Sequence, residues 1–251
     1  MRALLRSDAR APVGGDVVDP ADVYTAVERV PPHGRPWVLL NMVASVDGAT
    51  AIEGASGPLG GPADRQVFSI IRSVADVILA GAGTVRAEGY GPPRTPQPRQ
   101  QERRARGQAP RPRMAVLSGR LDLDPRLPLF TEVDERTIVL TVENADATRR
   151  AALDQVAEVV SVGADRTDPV AVMAALAARA SVVLVEGGPT LNGQLLTADL
   201  VDELCLTVAP LIAGGVSARI AAGATAGRLA LELSDVLEED HTLFLHYLRR
   251  R

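Results

Sequence analysis

Val182-Val183-Leu184-Val185-Glu186-Gly187-Gly188-Pro189-Thr190-Leu191-Asn192-Gly193 is the stretch from which the rest of this 251-residue chain is read. Its four leading apolar residues predict a strand buried on both faces, and Pro189-Thr190-Leu191 opens a helical run toward Leu200. The chain must therefore turn sharply at Gly187-Gly188. Glycines there permit φ > 0 and let a ligand approach the free N–H groups at the helix start, where the dipole favours an anion such as pyrophosphate. Two readings stand side by side: an ordinary tight turn, or a phosphate cradle. Glu186, at the carboxyl end of the buried strand, occupies the kind of position where open α/β sheets take ligands.

The same strand, glycine turn and helix start recurs where the strand Asp76 to Ala80 runs into Gly81-Ala82-Gly83-Thr84-Val85. Working outward, Trp37 to Ala44 reads as a core strand, Ser45 to Gly48 as its exit, and Gly54 to Gly61 as a glycine-rich loop. A helix begins at Pro62, with Val67, Phe68, Ile70, Ile71 and Val74 on its apolar face and Arg65 and Arg72 emerging as solvated charges. Further strands are predicted at 114–117, 137–141, 158–162 and 201–209, with helices over 145–156 and from Asp168-Pro169 to Ala180. After a glycine- and alanine-rich connection over 210–227, the segments 229–237 and 242–248 form an antiparallel pair. This order predicts an α/β fold with a mostly parallel central sheet and antiparallel C-terminal edge strands. Residues 1–35 read as an N-terminal arm carrying a short helix from Pro20 to Arg29 capped by Asp19, and 36–251 as one domain. From Arg86 to Arg113 periodicity vanishes; the seven arginines between Arg94 and Arg113 predict a solvated, mobile excursion.

Composition removes whole classes of function. A net charge of -4 and a pI near 5.5 lack the broad basic surface of a general nucleic-acid binder, and 3% aromatic residues offer few stacking platforms. No apolar run reaches membrane-spanning length and the start does not read as a secretory leader, so a cytoplasmic protein acting on a small molecule is expected. All 27 basic residues are arginine, which excludes Schiff-base chemistry and a P-loop lysine. Cys205, alternating with Leu204 and Leu206, reads as a buried small hydrophobe. His33, His241 and His246 form no close ligand cluster in the sequence, and no metal is expected. The dinucleotide fingerprint G-x-G-x-x-G fails, because Arg86 stands where its third glycine belongs.

The motifs Asn41-x-x-x-Ser45-Val46-Asp47-Gly48, Gly81-x-Gly83-Thr84-Val85-x-x-Glu88, Glu186-Gly187-Gly188-Pro189-Thr190-Leu191, Val201-Asp202-Glu203-Leu204 and Pro210-x-x-x-Gly214-Gly215 follow one another in order. As an ordered set they resemble the pyrimidine reductases of riboflavin biosynthesis over roughly residues 36 to 250. The resemblance implies a dihydrofolate-reductase-like three-layer fold, NADPH as hydride donor, a homodimer, and reduction of a ribosylaminopyrimidine phosphate from ribosyl to ribityl. Asn41, in place of a lysine, resembles the archaeal and fungal stand-alone enzymes. Glu88-Gly89-Tyr90 replaces an Asp-Asp-Pro usual in bacterial members, and the following arginine comes one position early, at Arg94.

Carried over by resemblance, Gly81, Gly83, Thr84 and Val85 line the cofactor, and Gly187, Gly188, Pro189, Thr190 and Leu191 surround its pyrophosphate and ribose. Ser45 and Ser56 lie near its nicotinamide half. Ser118 and Arg120, a hydroxyl and a guanidinium just past a strand, are suited to a 2′-phosphate. Asn41, Arg72, Glu88 and Arg94 are the substrate contacts, and Glu186 and Asp47 the candidate acids. A dihydrofolate or pteridine reductase is the alternative on the same fold, and a non-enzymatic nucleotide or flavin binder the second.

Overall fold

The computed structural model describes residues 1–6, 15–223 and 229–250; parts of the expected arm (7–14) and connection (224–227) lie outside them. Its centre is β2 (Trp37–Ser45), flanked in parallel by β7 (Val182–Val185) and β8 (Glu203–Ala209). Beyond β7 the parallel run continues through β3 (Val77–Gly81), β4 (Arg113–Leu117), β5 (Ile138–Thr141) and β6 (Glu158–Ser161). Beyond β8 it becomes antiparallel, through β10 (Thr242–Arg249), β9 (Leu231–Glu239) and β1 (Arg2–Leu5). The ten-stranded order is β1-β9-β10-β8-β2-β7-β3-β4-β5-β6. The expected mostly parallel sheet with antiparallel C-terminal edge strands is what forms.

Strand β7 alternates across this sheet as a doubly buried strand must. Val182 and Leu184 face one core with Ile70, Ile71 and Tyr24; Val183 and Val185 face the other with Met173, Leu176 and Leu195. The first core is closed by α1 (Pro20–Tyr24), α2 (Pro62–Val74), α3 (Ala82–Glu88), α5 (Pro128–Thr131) and α6 (Ala147–Asp154), the second by α7 (Pro169–Ala177) and α8 (Pro189–Thr197). Helices on both faces of a sheet give the three layers expected of the dihydrofolate-reductase-like fold. Of the segment 1–35, β1 hydrogen-bonds to β9 and Tyr24 is fully buried. Helix α1 stops at Tyr24, short of the expected Arg29.

The reading of 86–113 as a solvated excursion is corrected. Part of it is helix α3, and Gln97–Ala105 forms α4, which lies against α2 and buries Arg103 completely. Arg103 donates to the carbonyls of Ser73, Ala75 and Ala109. A helix C-terminus leaves carbonyls without intrahelical partners, and a guanidinium suits them in hydrogen-bond capacity and charge. Arginine here completes the core, which apolar periodicity cannot reveal.

Candidate active site

The carboxyl ends of β2, β7, β3 and β4 open into a cavity of about 1380 Å³. Two glycine turns form its middle. The Gly81 amide donates to the Gly187 carbonyl at 2.8 Å, so the ends of β3 and β7 are tied together. Gly187 has φ +94°, in the region that favours glycine, and the Gly187-Gly188 peptide is cis. A Cβ on Gly188 would lie 2.9 Å from Thr84 Oγ1, and one on Gly81 3.4 Å from the Gly188 nitrogen. A side chain at Gly188 would enter only by displacing Thr84, whereas one at Gly81 would sit at ordinary contact distance. Gly83 meets nothing within 4 Å and leaves its side of the cavity open.

Beside these turns stands Glu186, 7% exposed. Arg72, from α2, grips it with two parallel bonds, Nε to Oε1 and Nη2 to Oε2, each 2.7 Å, and the Tyr90 hydroxyl donates to Oε2 at 2.7 Å. The Arg72 guanidinium also lies 4.1 Å from the centre of the Phe68 ring. Burial disfavours its charge, but the Glu186 carboxylate more than offsets that and holds Arg72 above its ordinary pKa. Burial and then the Glu186 charge push the Tyr90 hydroxyl well up, so it stays a donor. Both oxygens of this candidate acid thus serve as acceptors, two bonds coming from one guanidinium and a third from a hydroxyl.

Asp47 is corrected. It is absent from the cavity wall and accepts bonds from Ser45 Oγ at 2.5 Å, Ala213 N at 3.1 Å and Gly214 N at 2.8 Å. Those bonds, led by Ser45, hold its carboxyl at about 2. It fastens the loop after β8 to the end of β2 and has no proton to give at neutral pH. Ser45 turns to Asp47 and to the Ala49 amide, and Val85 is buried in the core; neither lines the cavity. Asn41, Ser56, Arg72, Gly81, Gly83, Thr84, Glu88, Arg94, Ser118, Arg120, Glu186, Gly187, Gly188, Pro189, Thr190 and Leu191 all do. Glu88 spends Oε1 on the Ser56 amide at 2.8 Å, pinning the glycine-rich loop across the cavity.

Tyr90 is the residue that the sequence reading missed. Its signal was its place in the altered Glu88-Gly89-Tyr90 segment: Gly89, at φ +62°, ends α3 in the left-handed region and sets the course of the chain into Tyr90.

Elsewhere, Glu203, Cys205 and His246 bring their donor atoms within 4.8 Å of one another. Both His246 nitrogens are engaged, by Asp235 at 3.0 Å and Glu203 at 2.9 Å, and Glu203 also accepts from Arg29 and Trp37. Burial pushes the Cys205 thiol well up. A cation there would have to displace bonds already made.

The 2,5-diamino-6-ribosylamino-4(3H)-pyrimidinone 5′-phosphate reductase of Methanothermobacter thermautotrophicus is 32% identical over 216 residues, covering 82% of this chain and 95% of its own. A solved pyrimidine reductase-like protein from Corynebacterium diphtheriae superposes with a TM-score of 0.82 at 26% identity, covering 93% of this chain and 100% of its own. Dihydrofolate reductase from Enterococcus faecalis superposes with a TM-score of 0.51 at 14% identity, over 86% of this chain and 97% of its own, a likeness of fold alone. The family model of the RibD C-terminal domain matches residues 36–243. Since that span takes in both glycine turns and every residue assigned above to the cavity wall, the chain belongs to the RibD C-terminal domain family.

Proposed function

We propose that this chain is an NADPH-dependent reductase that converts a ribosylaminopyrimidine phosphate to its ribityl form in riboflavin biosynthesis, in a cytoplasmic setting. The observation that carries the reading is the fixed Glu186 charge beside two interlocked glycine turns, in a chain closely related to named reductases of this kind. The glycine cradle fits a dinucleotide phosphate: a Cβ at Gly188 would clash, while the wall at Gly83 is open. Gly81, Gly83, Thr84 and Gly187 to Leu191 would hold the pyrophosphate and ribose, with Ser118 and the exposed Arg120 toward a 2′-phosphate. When bound, the reduced nicotinamide supplies the hydride.

The chain's own part is positioning and electrostatics. When the ribosylamine ring opens, positive charge develops at the C1′–N bond. Glu186, held rigid by Arg72 and Tyr90, opposes that charge and needs no reorganisation to do so. Arg94, exposed on the cavity wall, is the candidate for the substrate phosphate.

A homodimer belongs to the same reading. Leu206, Leu245, Tyr247 and Leu233 share one face of the antiparallel half-sheet, and each is only partly covered. Sedimentation at micromolar concentration tests it. The activity is tested by following NADPH oxidation with the ribosylaminopyrimidine phosphate and, separately, with dihydrofolate. Turnover of the first and not the second is expected; faster oxidation with dihydrofolate would replace this reading, and oxidation with neither would point to a binder. Arg120→Ala should raise the KM for NADPH about tenfold and leave that for NADH unchanged.

A further inference from the structure

A second cavity, of about 400 Å³, lies at the opposite ends of the strands, where Asp76 leads into β3 and Arg113 begins β4. The chemistry above makes no use of it. Part of its wall is apolar, built from Pro93, Pro110, Pro112, Met114 and Val133, and part carries Arg103, Arg111, Arg113 and Arg179.

Three of these arginines have carboxylate partners. Arg111 pairs with Asp134 at 3.2 Å, and Arg113 and Arg179 both hold Glu158. Arg103 has no ion pair among the described residues, although it is 0% exposed. Its bonds to the carbonyls of Ser73, Ala75 and Ala109 occupy Nε and Nη1. A guanidinium carries five N–H donors, so the two on Nη2 have no acceptor among the described residues. Carbonyl dipoles satisfy donors without neutralising a full charge. Asp76, on the same wall, already accepts from Gln108 and from the amides of Ser181 and Val182. Burial, only partly opposed by Asp76, lowers the Arg103 pKa to about 10. A buried cation in this position is stabilised by an anion that enters the cavity.

Charge and volume narrow the ligand. Against the four arginines the wall sets Asp76, Asp134 and Glu135, a surplus of one positive charge. One carboxylate balances that surplus, whereas a phosphate monoester exceeds it. The volume is that of a site enclosing a small organic molecule, and the apolar wall suits a body without polar groups.

We propose that this cavity binds a small monocarboxylate, with its carboxylate on Nη2 of Arg103 and its apolar body against the prolines, and that its occupancy is felt at the candidate active site. The link is Pro92, which stands in the walls of both cavities and lies midway in the chain between Tyr90 and Arg94. A ligand that shifts Pro92 shifts the segment carrying both side chains, and such coupling is reciprocal.

Benzoate and benzamide, alike in shape and different in charge, test the site by calorimetric titration of the full chain. Benzoate should bind at least about tenfold tighter, the effect of a hydrogen bond to a charged group. Val133→Trp, which fills the cavity and leaves Arg103 in place, should weaken benzoate at least about tenfold while NADPH affinity and Tm stay at wild-type values. Arg103→Met should abolish benzoate binding too, but it also strips three carbonyls of their donor and lowers Tm, so Val133→Trp carries the decision. No benzoate binding at tens of millimolar, equal affinity for benzamide, unchanged affinity in Val133→Trp, or displacement of benzoate by NADPH overturns the site. Saturating benzoate should change the KM for the ribosylaminopyrimidine phosphate about fivefold in wild type and not in Val133→Trp. An unchanged KM in wild type overturns the link through Pro92. Benzoate binding needs no turnover, so its failure and that of the reductase reading are told apart.

Discussion

Glu186 and Glu203 are both buried glutamates at the ends of the two strands that flank β2 in the central sheet, and each is clasped through two bonds by an arginine, Arg72 in one case and Arg29 in the other. Each also takes a third donor from an aromatic residue, Tyr90 or Trp37. Their surroundings differ. Glu186 follows β7 at its carboxyl end and opens to the cavity; Glu203 begins β8, is 0% exposed and is bridged by His246 to Asp235. Burial and a bidentate arginine therefore do not distinguish a carboxylate on the cavity wall from one sealed in the core. Access to ligand does, and the end of the strand at which the residue lies decides access.

The comparison breaks first on stability. Glu203→Gln leaves Arg29 and His246 without their counter-charge, and removing one partner of a buried pair costs about 3–5 kcal/mol. For a chain of this size that lowers Tm by roughly 10 °C. Glu186→Gln, at the cavity wall, should lower it much less. Equal losses in two thermal melts would mean that both clusters are structural.

Titration sharpens the contrast next. Burial alone would raise Glu203, but Arg29 and His246 hold it at about 2, below its ordinary 4.5. Its stabilisation, roughly 3 kcal/mol, is present above the unfolded value and lost as pH falls toward 2. His246 runs the other way: burial opposes its charge, but Asp235 and Glu203 more than offset that and raise its pKa. Its contribution is complete below about pH 6.5 and disappears as pH climbs through the raised value. Tm measured against pH should therefore peak between about pH 5 and 6.5, and His246→Gln should remove the alkaline decline.

On activity the order reverses. Glu186→Gln should lower kcat/KM by at least about a hundredfold, through loss of a preorganised charge beside the substrate. Substitution in the Glu203 cluster, assayed well below its Tm, should leave kcat/KM near wild type. A glutamine variant with full activity would remove Glu186 from the chemistry.

The smallest effect is expected from the third donors. Tyr90→Phe removes one hydrogen bond to a charged group and should reduce kcat/KM about tenfold with little change in Tm. Trp37→Phe should do the opposite, costing about 1–3 kcal/mol of stability and leaving kcat/KM intact. If Tyr90→Phe instead unfolds the chain, the Glu186 cluster is as structural as its counterpart.

Much of this was legible in the order of residues. Four apolar residues before Glu186, and the same arrangement before Gly81, are enough to announce parallel strands ending in ligand-facing turns, because burial on both faces leaves a strand no polar alternation. The cavity wall was legible for the same reason: strand ends and glycine turns are local features. The surroundings of Glu186 were not, since a sequence shows an acid but not the Arg72 and Tyr90 that hydrogen-bond to it from 114 and 96 residues away. Asp47 misled in the same manner, its partners at Ala213 and Gly214 being brought to it only when β8 pairs with β2.

The sequence by itself determined the alternation of strands and helices, the two glycine turns, the family and the absence of lysine chemistry. The tertiary structure decided that arginine-rich 97–105 is a helix that closes the core through Arg103, that Glu203 and His246 form a buried charge cluster, and that Tyr90 and Asp64 face the same cavity as Glu186. The division has one physical cause. Hydrophobic periodicity and backbone conformation act over a few residues and are written locally, whereas the partner of a buried charge is chosen by which distant segments the fold brings within hydrogen-bond reach.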